Sequence, residues 1–111
     1  MSDKMLKFVK IDQQSPPKRD VDRRKEDFNE IYKDFINEKA KEQSSRCSQC
    51  GVPFCQVHCP LSNNIPDWLK LTAEGRLKEA YELSQSTNNM PEVCGRICPQ
   101  DRLCEGNCVI E

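Results

Sequence analysis

The residues that could do chemistry in this chain are its cysteines, and their spacing is orderly. One run reads Cys47-x2-Cys50-x4-Cys55-x3-Cys59-Pro60, and another reads Cys94-x3-Cys98-Pro99-x4-Cys104-x3-Cys108. Together they hold all eight cysteines of the chain. Thiolates are soft ligands, and four of them satisfy one tetrahedral-iron cluster. Eight thiolates are therefore enough for two 4Fe–4S clusters. The first run opens with the two-residue spacing of bacterial ferredoxins and ends, as theirs do, in Cys-Pro. Its middle spacing is wider than theirs, so it is not a plain ferredoxin repeat.

Zinc is the main competing reading. Structural zinc sites bring two closely spaced cysteine pairs to one ion. Here Cys47/Cys50 and Cys55/Cys59 are four residues apart, which is tight for one such site. A zinc-stapled helical interaction domain is nevertheless the alternative from another functional class. Disulfides would need an oxidising compartment. A thioredoxin-type Cys-x-x-Cys would need a βαβ context, which the pattern lacks. His58, between Cys55 and Cys59, reads as a surface histidine rather than a ligand. Trp68 reads as core rather than as an electron relay. Arg96 reads equally as a donor to a cluster sulfide or to backbone carbonyls and as a structural residue.

The elements that must position these thiols look helical. Residues 1–20 read as an extended arm, with Phe8, Val9 and Ile11 as a short strand-like piece and Pro16-Pro17 as a break. Residues 21–111 read as one helical domain. Phe28, Ile31, Tyr32, Phe35 and Ile36 form one apolar stripe, which predicts a helix from Val21 to about Gln43. The neighbouring Arg23-Arg24-Lys25 reads as a solvated turn. Cys47 to Asn64 reads as a loop. Pro66 then suits the start of a helix that presents Ile65, Trp68, Leu69 and Thr72 and stops at Gly75. A second helix, about Leu77 to Thr87, aligns Leu77, Ala80, Tyr81 and Ser84. Pro91-Glu92 starts one more turn before Cys94. The fold class expected is all-α, with helices clamping two cysteine loops. The two runs also share a loose pseudo-symmetry.

Composition supports a small domain that needs a staple. The chain has 111 residues, of which 36% are apolar and 32% charged. Such a chain buries little core. A net charge of −1 indicates no bulk attraction to nucleic acid or membrane. No stretch approaches the roughly 20 apolar residues of a membrane span. The N-terminus lacks a signal-peptide core. The expected location is cytoplasmic, where dense cysteines point to metal rather than disulfides.

Three stretches carry a family resemblance: Arg46-Cys-Ser-Gln-Cys-Gly-Val-Pro-Phe-Cys, Cys59-Pro-Leu-Ser-Asn-Asn-Ile-Pro-Asp-Trp-Leu, and Thr87-Asn-Asn-Met-Pro-Glu-Val-Cys-Gly-Arg-Ile-Cys-Pro-Gln-Asp-Arg-Leu-Cys-Glu-Gly-Asn-Cys. They resemble the N-terminal iron–sulfur domain of the small (β) chains of NADPH-dependent glutamate synthases. The resemblance extends upstream through Pro16-Pro17-Lys18 and the Phe28 to Phe35 segment. Related modules open dihydropyrimidine dehydrogenase and other flavin-linked oxidoreductases. The resemblance implies two low-potential 4Fe–4S clusters. It also implies a role as the wire between an FAD- and NADPH-binding domain and the glutamate synthase large chain. In such a parent, electrons from NADPH and FAD reduce the imine formed from 2-oxoglutarate and glutamine-derived ammonia. The sequence ends at Glu111 with no Gly-x-Gly-x-x-Gly following. FAD and NADPH sites are thus expected only in a full-length parent, and this chain should not oxidise NADPH by itself.

By the same resemblance, and as in ferredoxins, the last cysteine of a run crosses to the other cluster. Cys47, Cys50 and Cys55 would join Cys108, while Cys59, Cys98 and Cys104 would hold the second cluster. The fourth ligand of that second cluster is either Cys94 or a residue beyond Glu111. A sequential arrangement, one cluster per run, is the alternative.

Overall fold

The computed structural model describes residues 5–34 and 37–110. Its regular elements are α1 (Val21–Arg24), α2 (Asn37–Ser44), α3 (Phe54–His58), α4 (Ile65–Ala73), α5 (Leu77–Ser84) and α6 (Pro91–Ile97), with 3-10 turns at Lys7–Val9, Gln100–Arg102 and Glu105–Asn107. Among the described residues no strand forms, and an isolated bridge joins Lys18 to Tyr32. The protein is a small all-α domain.

The expected hairpin is the centre of the fold. α4 packs against α5 and also against α2. Pro66 lies in the first turn of α4, where a missing N–H leaves no helical bond unmade. Gly75 ends α4 with φ 83°, a left-handed conformation that glycine adopts without strain. α5 closes at Ser84, shorter than its apolar pattern suggests, and Ala80 is its buried residue.

The long helix expected from Val21 to Gln43 does not form as one element. α1 stops at Arg24 and α2 starts at Asn37. Between them the chain loops back on the proline segment: the Arg19 N–H donates to Ile31 O at 2.8 Å and the Lys33 N–H to Pro17 O at 2.7 Å. The Arg19 guanidinium grips both oxygens of Asp27 at 2.8 and 3.1 Å and also donates to Glu30 O at 3.0 Å. Asp27 in turn accepts the Asn29 N–H at 3.0 Å. Such side-chain-to-backbone bonds compete directly with helix. The apolar stripe found no surface to cover: Phe28 is 108% exposed, and Ile31 and Tyr32 are exposed too. Phe35 and Ile36 lie outside the described residues.

Arg19, through this paired hydrogen bond, holds the Asp27 carboxyl below its ordinary range. The Asn29 N–H adds to the effect and desolvation opposes it. A carboxylate with a lowered folded value contributes stability above its unfolded value of about 3.9, and the contribution is lost only as pH falls through the folded value. Asp27→Asn should therefore melt below the parent by the same margin at about pH 7 and about pH 5. A margin that shrinks across that window would point to a different group.

The N-terminal segment is not strand-like. Phe8 and Val9 lie in the first 3-10 turn, with Ile11 just beyond it. The segment follows the end of α2. Met5 is buried, the Leu6 N–H donates to Cys47 O at 3.1 Å, and the Lys7 N–H donates to Ser45 O at 3.0 Å. Gln43 Nε2 donates to Asp12 O at 3.1 Å, and Arg46 Nε donates to Ile11 O at 2.9 Å. The backbone entering the first cysteine is thus braced before the cysteine run begins.

Candidate metal centre

A repeated local device positions the thiols. In each Cys-x3-Cys pair the chain makes about one helical turn, so both cysteines fall on one side of it. Cys55 lies in α3 and Cys59 caps its C-terminus, with the Cys59 N–H bonded to Cys55 O at 3.1 Å. Cys94 lies in α6 and Cys98 caps it, with the Cys98 N–H bonded to Cys94 O at 2.9 Å. Cys104 and Cys108 bracket the Glu105–Asn107 turn. Cys59 and Cys98 both turn out to extended backbone, at ψ 125° and 132°. The prolines that follow them disfavour the helical region for the preceding residue. The loose symmetry of the two runs is therefore a shared backbone device. It also corrects two expectations: α3 replaces part of the expected loop, and α6 carries Cys94 rather than leading into it.

The tight Cys47–Cys50 turn is built differently. Gln49 has φ 53°, a left-handed conformation uncommon outside glycine. Its Nε2 donates to Cys47 Sγ at 3.2 Å and to Pro66 O at 2.8 Å. Ser48 Oγ lies 3.0 Å from Cys50 Sγ. Asn63 ties the loop after Cys59 to the hairpin. Its Nδ2 donates to Ser84 O at 2.8 Å and to Thr87 Oγ1 at 3.0 Å, and its Oδ1 accepts Trp68 Nε1–H at 2.7 Å. The sequence pattern singled out neither Gln49 nor Asn63. The signal for Gln49 was its place between two ligand-type cysteines. The bonds of Asn63 join residues 21 and 24 positions apart, which no local pattern reveals.

The second run folds back on the first. The Glu105–Asn107 turn, between Cys104 and Cys108, packs against α3, which carries Cys55. Burial pushes the Cys55 thiol up. The nearby Cys47, Cys108 and Cys104 raise it further, against the opposing Gln56 N–H. Burial also raises Cys104, with Glu105 and Cys98 adding to the rise and the Glu105 N–H opposing it. Cys55 thus neighbours cysteines from both runs.

All eight cysteines are free and half-buried, and all line one cavity of about 870 Å³. Apolar side chains complete its wall, including Phe54, Ile65, Trp68, Leu69 and Leu103. Among the described residues no three His, Cys, Asp or Glu side chains gather tightly enough to hold one metal ion. A tetrahedral zinc at about 2.3 Å from each sulfur would need such a point. These thiols surround a volume instead. Soft donors around a largely apolar space fit an iron–sulfur cluster.

The other singled-out side chains resolve as follows. His58 is exposed at the end of α3, its Nδ1 2.8 Å from Phe54 O. Trp68 is half-buried and lines the cysteine cavity on the α4 face rather than sitting in a closed core. Arg96 pairs with Glu30, and its guanidinium lies 6.0 Å from the Tyr32 ring centre. It ties α6 to the loop that follows α1.

Gly106 is required by close packing. A Cβ there would lie 2.1 Å from the Asp101 carbonyl oxygen, and backbone cannot move as a flexible side chain can. Overpacking of this kind costs about 1–3 kcal/mol. Gly106→Ala should lower the melting temperature and loosen cluster retention, read by melting and by iron content after dialysis.

Comparison with known proteins places this geometry. Residues 24–111 match the family described as dihydropyrimidine dehydrogenase domain II, 4Fe–4S cluster. The chain is 72% identical over 108 residues to the glutamate synthase [NADPH] small chain of Azospirillum brasilense, covering 97% of this chain and 22% of that one. It is 52% identical over 110 residues to the corresponding small chain of Escherichia coli strain K12, covering 99% and 23%. It is 41% identical over 112 residues to that of Bacillus subtilis strain 168, covering 93% and 22%. The chain spans about a fifth of the length of these relatives.

Proposed function

Because the chain belongs to the 4Fe–4S family of dihydropyrimidine dehydrogenase domain II, we propose that it is the electron-transfer domain of a glutamate synthase-type oxidoreductase. It is an iron–sulfur-binding domain, and a bound 4Fe–4S cluster supplies a one-electron carrier. The observation that carries the reading is one largely apolar cavity lined by all eight free cysteines.

The proposed occupancy is two clusters. Cys47, Cys50, Cys55 and Cys108 hold one. Cys59, Cys98 and Cys104 hold the other, with Cys94 or a residue C-terminal to Glu111 in the fourth place. The packing of the Glu105–Asn107 turn on α3 supports the crossing. The chain's own contribution is to hold the thiolates on short helical turns, to keep water off the sulfurs with the apolar wall, and to aim N–H donors at them. These features set a cluster's potential. Residues 1–20 serve in this reading as an arm and residues 21–111 as the cluster domain. The proposed neighbours are an FAD- and NADPH-binding domain of the same parent chain and the glutamate synthase large chain. Among the described residues no helix is long and apolar enough to cross a membrane. The proposed setting is the cytoplasm.

Iron and acid-labile sulfide on anaerobically purified protein test the reading. About eight of each supports two clusters; zinc without sulfide would leave a stapled binding module. Cys94→Ala decides the fourth ligand. Iron falling from about eight to about four assigns Cys94, whereas about four in both the parent chain and the variant assigns the fourth place to a residue beyond Glu111.

A further inference from the structure

We propose that Gln49 is a positioning residue that raises the reduction potential of the cluster held by Cys47. The inference rests on the reading that Cys47 is a ligand. The amide of Gln49 has two N–H protons, and both have acceptors: Cys47 Sγ at 3.2 Å and Pro66 O at 2.8 Å. The Pro66 carbonyl accepts and cannot donate. That fixes the nitrogen, not the oxygen, as the end facing the sulfur. The same amide therefore points a donor at the thiolate and anchors it to the first turn of α4.

The backbone argues that the side chain has a purpose there. Gln49 sits at φ 53°, where glycine would be free of strain and most other residues are not. A turn that needed only this conformation would be served by glycine or asparagine. Glutamine adds reach, and the reach ends on a sulfur. Pro66 is buried, so its carbonyl gives the amide a fixed mount.

The sign follows from charge. Uptake of one electron adds one unit of negative charge, and part of it falls on the ligating sulfurs. A hydrogen bond to sulfur stabilises that charge, so it raises the potential. Removing the donor should lower it.

Two variants test this in the full chain, purified and handled anaerobically. Gln49→Met keeps length without a donor. Gln49→Gly removes the donor and relieves the backbone. Both should keep the parent's iron and sulfide. In both, one of the redox waves followed by EPR during a potential titration should move down. At a fixed potential the reduced fraction relative to the oxidised should fall about tenfold, equivalent to about 59 mV for one electron. A purely structural turn predicts no movement in Gln49→Gly. Loaded variants with potentials unchanged within about twofold in that ratio, about 18 mV by the same constant, overturn the tuning role alone. Loss of iron from both variants also overturns it, because the amide would then be needed to build the site. A parent without iron and sulfide overturns both this inference and the ligand reading beneath it.

Discussion

Removing iron anaerobically with a chelator should abolish the cooperative melting of this domain. Among the described residues the buried apolar side chains are Met5, Pro66 and Ala80, and no large side chain is fully buried. Val9, Val57 and Ile97 are each more than 60% exposed. Ordering each residue costs about 1–2 kcal/mol of backbone entropy, and so thin a core cannot offset that alone. Net stabilities of folded domains are only about 5–15 kcal/mol. Ligation of a structural metal by thiolates contributes on the order of 10 kcal/mol or more in small domains. Loss of ligation is therefore comparable with the whole stability. The expected result is a broad, non-cooperative thermal profile by circular dichroism, with much of the helical signal lost. Reconstitution with iron and sulfide under reducing conditions should restore a sharp transition. An iron-free protein with an unchanged melting curve would show that the helices hold the cavity open by themselves.

The same thin core explains what was legible in the sequence. The α4–α5 hairpin could be read because Pro66 and Gly75 mark its first helix with backbone constraints that need no tertiary partner. The cysteine spacing could be read because ligand chemistry is local and its turns are short. The helix over Phe28 to Tyr32 could not. Amphipathic periodicity predicts a helix only when another surface is there to cover the stripe, and here Arg19 and Asp27 offered the backbone a closer set of bonds. The partners of Gln49 and Asn63 were invisible for another reason. Each acts through acceptors elsewhere in the fold, at Pro66, Ser84 and Thr87, and single-sequence patterns carry no record of such pairs. The resemblance to glutamate synthase small chains indicated the ligand type, while the packing of the second run on α3 bears on how the ligands are shared.

Double cysteine variants should show that the clusters share the two runs in a crossed pattern. A single replacement cannot decide this, since losing any ligand removes one cluster under either arrangement. Pairs can. With Cys55 and Cys108 both changed to alanine, the crossed pattern loses one cluster and keeps about four irons. The sequential pattern loses both clusters and keeps almost none. With Cys47 and Cys59 both changed to alanine, the expectations reverse: the crossed pattern loses both clusters, and the sequential pattern keeps about four irons. Alanine is chosen because a serine oxygen can itself ligate. The two pairs control for each other, because a general loss of fold would empty both equally. The geometry behind the expectation is the Glu105–Asn107 turn lying on α3. Iron and sulfide content, with EPR of the reduced proteins, reads the result. Four irons in the Cys47/Cys59 pair and almost none in the Cys55/Cys108 pair would assign each cluster to its own run. The contact between α3 and the last turn would then serve packing rather than ligation.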